Sequence, residues 1–145
     1  VPPEILFDQG VGELFVIRTA GNILDEIGMG SVEYAVLHLG VRLVVVLGHS
    51  RCGAVAAALG GEKPGGHLDS VIEALEETVS SVRGNADDEH DEASRKNVLV
   101  TVERLRTQES FIRNLVEKEG LDIVGAYYNL ETGMVEITTG KGDSS

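Results

Sequence analysis

Leu43-Val44-Val45-Val46-Leu47-Gly48-His49-Ser50-Arg51-Cys52-Gly53-Ala54-Val55-Ala56-Ala57-Ala58-Leu59 reads as a strand, a tight turn and a helix in immediate succession. The run from Val41 to Leu47 is almost continuously apolar, as expected of a central parallel strand covered on both faces. Gly48 permits a sharp turn, and the small residues from Cys52 to Leu59 predict a helix. The turn carries a histidine and the only cysteine of the chain, His49 and Cys52. Imidazole nitrogen and thiolate sulfur are ligand types that zinc prefers, and a His-x-x-Cys pair at a strand end can bring both to one ion. A helix starting near Cys52 also favours a thiolate, because its first N–H groups carry partial positive charge. Two protein ligands do not complete a catalytic zinc site, so at least one more must come from elsewhere.

Two other readings of the turn stand beside this one. Gly48-x-Ser50-x-Cys52 fits the G-x-S-x-G elbow of serine hydrolases except at its last position. The glycine missing there relieves crowding at a strained turn, which counts against a nucleophilic serine. The plainer reading takes Cys52 as a small buried hydrophobe and His49 as an ordinary hydrogen-bonded side chain.

Outward from the turn, strands and helices alternate. Leu14-Phe15-Val16-Ile17-Arg18 is a short β-branched and aromatic run that predicts a strand. Ser31 is placed to cap a helix running to about Leu39 and ended by Gly40. The segment 60–66 is a loop by composition. Leu68, Ile72, Leu75, Val79 and Val82 follow at helical spacing, and Val98, Val102, Leu105, Ile112 and Leu115 mark further amphipathic helix stopped by Gly120. Between them lies the acidic run Asp87-Asp88-Glu89-His90-Asp91-Glu92. It lacks the spaced ligands and glycine of a calcium loop and reads as a solvated helix start. Leu121–Tyr128 and Met134–Thr138 read as strands joined around Glu131-Thr132-Gly133, and the tail 140–145 as frayed. This order predicts an α/β fold, a mostly parallel central sheet flanked by helices with right-handed crossovers. No internal repeat or long linker interrupts it.

With 145 residues, the chain suits one domain with a useful core. Its apolar fraction of 42% contains no run long enough to span a bilayer. A single cysteine forms no internal disulfide and points to a reducing compartment, here the cytoplasm. The net charge of −12 argues against nucleic acid and anionic membranes as partners. A site that handles an anion must therefore be locally positive.

Three motifs in register supply the context for the turn. Arg18-Thr19-Ala20-Gly21-Asn22 resembles the R-N-A-G-N segment of β-class carbonic anhydrases. Ser31-Val32-Glu33-Tyr34-Ala35-Val36-Leu37-His38-Leu39-Gly40 resembles their S-x-E-Y-A-V-x-x-L helix. Gly48-His49-Ser50-Arg51-Cys52-Gly53 is similar to their G-H-S-x-C-G motif. Further on, Gly125-Ala126-Tyr127-Tyr128-Asn129-Leu130-Glu131-Thr132-Gly133 looks like the C-terminal hairpin of the family, and the likeness runs from Val1 to about Ile137.

The resemblance implies zinc-dependent, reversible hydration of carbon dioxide to bicarbonate and a proton, with His49 and Cys52 as two zinc ligands. In the family a C-x-D-S-R segment precedes a stretch like Val1-Pro2-Pro3-Glu4 and supplies another cysteine ligand and an aspartate–arginine dyad. The expectation is one domain over 1–145 that lacks this N-terminal segment and is inactive without it. Tyr34 matches a tyrosine near substrate, with a half-buried helix aromatic as the alternative. The Gly53 N–H is placed to face substrate oxygen, or the glycine only permits a tight helix start. Phe15 and Ala20 align with pocket-wall positions that ordinary packing also explains. Gln9 lies one register from a substrate-contacting glutamine. Arg18 and Tyr128 resemble residues of a second, inhibitory bicarbonate site, against a structural hydrogen-bonding role. His38, His67 and His90 read as surface or hydrogen-bonding histidines.

Two further functions fit the same resemblance. One is a catalytically inactive regulatory or assembly subunit; the other is a hydrolase of carbonyl sulfide or carbon disulfide on the same fold. A homodimer or higher even oligomer built on two-fold contacts is expected, because such sheets need both faces covered.

Overall fold

The computed structural model describes residues 1–139, with the Thr139 side chain left out, so the tail expected to fray lies outside the described residues. The elements are helix α1 (Pro3–Leu6), a 3₁₀ turn (Ala20–Asn22), α2 (Glu26–Leu39), β1 (Leu43–His49), α3 (Gly53–Leu59), α4 (Leu68–Ser80), α5 (Glu89–Glu103), a π turn (Arg104–Gln108), α6 (Ser110–Glu119), β2 (Asp122–Tyr128) and β3 (Val135–Thr139). Helices flank a mixed sheet of order β1-β2-β3. β1 and β2 run parallel, with Leu43 opposite Asp122 and His49 opposite Tyr128. β3 returns antiparallel to β2, with a register shift at Gly125/Ala126. The α/β reading therefore holds, with one parallel and one antiparallel pair.

Helix α5 joins the two halves of the core. Its Val98 and Val102 pack with Val46 of β1, Ile123 of β2 and Val32 and Val36 of α2. Its Ala93 joins Cys52, Val55, Leu75 and Val79 from the turn and from α3 and α4. Asp88 caps α5 by accepting the Asp91 N–H at 3.0 Å, so the acidic run is a helix start, where carboxylates meet the positive end of the helix dipole.

Three local expectations are corrected. Residues 14–18 form no strand; the segment has β propensity but takes no place in the sheet's hydrogen-bond ladder, and propensity without a paired neighbour makes no strand. Ser31 does not cap α2. Asp25 does, accepting the Gly28 N–H at 2.8 Å, and the helix runs through Gly28 and Gly30 to the left-handed Gly40. The Ser31 hydroxyl instead bonds back to the Ile27 carbonyl at 2.9 Å, the usual habit of serine inside a helix. β1 is an edge of the described sheet, not a central strand: Val46 is buried, but Leu43 remains 54% exposed and Val45 lies open on the same face. Among the described residues nothing covers that face.

Gly48 lies inside β1 and not at the turn, whose left-handed residue is Arg51; glycine serves there because α5 presses close. A Cβ there would collide with Val98 Cγ2 and approach the Ser94 carbonyl oxygen at 3.5 Å. Gly48→Ala is therefore expected to destabilise the protein by about 1–3 kcal/mol through overpacking. Val98→Ala in the same chain should recover part of that loss, read as urea midpoints.

Candidate functional site

The turn from Gly48 to Gly53 is held at both ends. The Ser50 N–H donates to the Tyr128 carbonyl at 2.9 Å, and the Ser50 hydroxyl accepts the Leu130 N–H at 2.8 Å, so β2 and the hairpin loop grip the start of the turn. Arg51 has φ 56°, a left-handed conformation rare for a residue with a side chain. Its guanidinium pairs with Glu131 of the hairpin loop. At the other end the Cys52 carbonyl accepts the Ala56 N–H of α3 at 3.0 Å and is met by His90 Nε2 of α5 at 2.9 Å.

His49 and Cys52 face one another. His49 Nδ1 lies 2.8 Å from the Ser50 carbonyl oxygen. A carbonyl only accepts, so Nδ1 carries the proton and Nε2 is left as a donor atom for a metal. The hydrogen bond with Cys52 raises the His49 pKa; burial opposes it and the Ser50 carbonyl supports it. Cys52 is only 6% exposed. Burial pushes its thiol up, but its hydrogen bond with His49 and those from the Val55 and Ala54 N–H groups outweigh that and leave it below the ordinary thiol value. A thiol drawn toward thiolate and hydrogen-bonded to an imidazole whose Nδ1 proton is held by the Ser50 carbonyl fits two positions of a zinc site. Among the described residues no group of three or more His, Cys, Asp or Glu side chains is arranged to hold a metal.

The remaining expected residues spread around this pair. Gly53 opens α3, and nothing lies within 4 Å of the place a Cβ would occupy. Tyr128 is partly buried on β2, directly opposite His49 in the parallel register. Ala20 opens the 3₁₀ turn and is exposed, as is Arg18. Tyr34 is 52% exposed on α2; its ring sits 6.3 Å from that of Phe15 and 5.1 Å from that of His38. Gln9 is exposed and donates to the Phe7 carbonyl at 2.9 Å. The structure thus brings His49, Cys52, Gly53 and Tyr128 to one end of the sheet and pairs Phe15 with Tyr34 on the α2 surface.

Helix α5 and its continuation back this site with side chains that sequence reasoning missed or read as ordinary. His90, Asn97 and Arg104 lie seven residues apart, close to two helical turns, so they share one face. Each donates to a carbonyl of the site-bearing segments: His90 to Cys52, Asn97 to Gly21 at 2.6 Å and Arg104 to Leu24 at 3.1 Å. The heptad spacing is visible in the sequence, but the acceptors are backbone groups, which carry no sequence signal. Next to His90, Asp91 accepts the Tyr127 hydroxyl at 2.6 Å and the Arg95 Nε–H at 2.9 Å. The Arg95 guanidinium also lies 4.1 Å from the centre of the Tyr127 ring and reaches Glu136 on β3.

The comparisons with known proteins follow the same segments. The carbonic anhydrase family model matches residues 1–135. The chain belongs to the β-class carbonic anhydrase family. This family member is 43% identical over 137 residues to "Carbonic anhydrase 2" of Mycobacterium tuberculosis, covering 92% of this chain and 66% of that protein. The chain thus spans just under two thirds of that relative's length. Among solved structures it is similar to a tetrameric β-carbonic anhydrase of the fungus Sordaria macrospora, at TM-score 0.86 and 26% identity, covering 98% of this chain and 76% of that one. It is also similar to a Coccomyxa β-carbonic anhydrase solved with acetazolamide, at TM-score 0.84 and 30% identity, covering 95% and 66% respectively.

The Asp91 network has a consequence for acid stability. Burial pushes the Asp91 carboxyl up, but the Tyr127 hydroxyl and Arg95 hold it below the ordinary aspartate value. A carboxylate with a depressed folded pKa contributes stability above its unfolded value, near pH 4, and loses it as pH falls through the folded value. Asp91→Asn should therefore lower stability at pH 7 and flatten the acid limb below about pH 4, checked by urea unfolding across pH.

Proposed function

We propose that this chain is a single domain over 1–145 of an enzyme that interconverts carbon dioxide and bicarbonate, with zinc held by His49, Cys52 and a ligand from outside the described residues. The observation that carries this reading is the facing His49–Cys52 pair, with its fixed imidazole tautomer and lowered thiol, inside a family match that spans the site. Zinc bound there would lower the pKa of a water molecule toward the neutral range and so supply a nucleophile.

The chain's own residues present and shape that site. The Ser50 carbonyl holds the His49 proton on Nδ1 and aims Nε2 at the site. The Ala54 and Val55 N–H groups stabilise negative charge on Cys52 Sγ. Gly53, with open space where a side chain would stand, lets substrate oxygen approach the helix start. Phe15, Tyr34, Ala20 and Gln9 form the substrate side in this reading, and the Phe15–Tyr34 aromatic pair suits an apolar molecule such as carbon dioxide. Arg18 and Tyr128 are assigned to a second bicarbonate site; Arg18 supplies the positive charge an anion needs on a protein of net charge −12.

The assembly is proposed as a homodimer or higher even oligomer. Ile27, Tyr34, Leu37, Leu43 and Val45 leave an apolar surface on α2 and β1 that a second copy would cover. The compartment is proposed as cytoplasmic, in keeping with a single free cysteine; no helix among the described residues is long and apolar enough to cross a membrane. Neither nucleic acid nor a membrane is proposed as a partner.

The protein that carries this chain should contain one zinc per chain and hydrate carbon dioxide in stopped-flow pH-indicator assays. Cys52→Ala should lose both together, and chelation should silence the wild type until zinc is returned. Stoichiometric zinc in Cys52→Ala, measured by elemental analysis, would overturn the ligand assignment. Light scattering over a dilution series should show an even-numbered oligomer at micromolar concentration; a clean monomer would remove the assembly model.

A further inference from the structure

We propose that His90 is a positioning residue for the metal-binding pair, fixing the peptide that follows Cys52 and through it the direction of Cys52 Sγ. The inference rests on the zinc reading above. It begins with strain. Arg51 sits at φ 56°, and Cys52 follows in an extended conformation, φ −67° and ψ 119°, immediately before the helix. A left-handed residue with a side chain persists only where its surroundings over-determine it. The Ser50 end of the turn is gripped by Tyr128 and Leu130. The Cys52 end has two bonds to its carbonyl, one from Ala56 inside α3 and one from His90 across 38 residues of chain.

Those two bonds differ in what they hold. The Ala56 N–H belongs to the same short helix as the carbonyl it meets, so it moves with that helix. His90 stands in the first turn of α5, and α5 is packed against β1 at Gly48 and tied to the Gly21 carbonyl by the buried Asn97. The His90 bond therefore refers Cys52 to the same rigid element that locates the strand carrying His49. Ala93 of α5 also packs with Cys52 and Val55, but an apolar contact sets distance and not direction; without the His90 bond the Cys52 carbonyl is tied only to its own helix, and the direction of Sγ toward His49 is no longer set. Groups that orient metal ligands from behind typically change metal affinity by about 10–100-fold.

The test compares His90→Asn and His90→Gln in the full protein. The glutamine amide nitrogen reaches about as far as the ring Nε2, whereas the asparagine amide falls short by one methylene. Both are polar and tolerated at a partly exposed helix start. Zinc affinity is measured by chelator competition, and the cobalt-substituted protein is read by its thiolate-to-cobalt charge-transfer absorption. His90→Asn should bind zinc about tenfold more weakly and shift the cobalt band. His90→Gln should restore both to near wild type. Wild-type affinity and spectrum in His90→Asn, or equal loss in the two variants, would overturn the positioning role while leaving the metal site standing. A wild-type protein that binds no zinc would overturn the metal reading and this inference with it.

Discussion

Strand β1 and helix α5 come so close at Gly48 that the space for a methyl group is already taken by Val98. That contact depends on glycine and on nothing else the chain offers at this point. Because the strand lies flat against the helix there, the next residue, His49, emerges at a set height beside the start of α3. The same helix then reaches the Cys52 carbonyl through His90 and the Gly21 carbonyl through Asn97. The parts of the site are thus referred to one rigid rod. Interior packing at near-crystalline density transmits position in this way because it leaves little slack.

The turn itself is held against its own conformational preference. Arg51 in the left-handed region costs of order 1 kcal/mol, and the energy comes from the bonds around it. Its pairing with Glu131 is exposed and contributes little by itself. The better anchors are the Ser50 bonds to Tyr128 and Leu130, which lock the turn to β2 and to the hairpin loop. This gives the serine in Gly48-x-Ser50-x-Cys52 a structural occupation: its hydroxyl accepts a backbone N–H of the hairpin.

The electrostatics of the site run against those of the molecule. The chain carries a net charge of −12, yet the immediate neighbours of the Cys52 sulfur are N–H groups and an imidazole. Whole-surface charge governs encounter and solubility, whereas the ionisation of one thiol is decided by groups within hydrogen-bond reach. The acidic run that contributes most visibly to the net charge is spent at the start of α5, where Asp88 caps the helix and Asp91 holds Tyr127 and Arg95.

Much of this protein is legible in the sequence alone. The apolar run Val41–Leu47, the small-residue helix after Cys52 and the H-x-x-C spacing point to a strand, a helix and a histidine–cysteine pair between them, because hydrophobic period and residue spacing are local properties. Gly40 and Gly120 close their helices for the same local reason, each in the left-handed conformation. The tertiary structure decided what depends on neighbours. Residues 14–18 have the composition of a strand and no ladder to join. β1 has the composition of a fully covered strand and leaves Leu43 and Val45 exposed. His90 lies in an acidic run and reaches the Cys52 carbonyl only because α5 crosses behind the turn. Backbone carbonyls and packing partners are the same for every residue type, so no residue letter records them, and only the folded chain shows which ones meet.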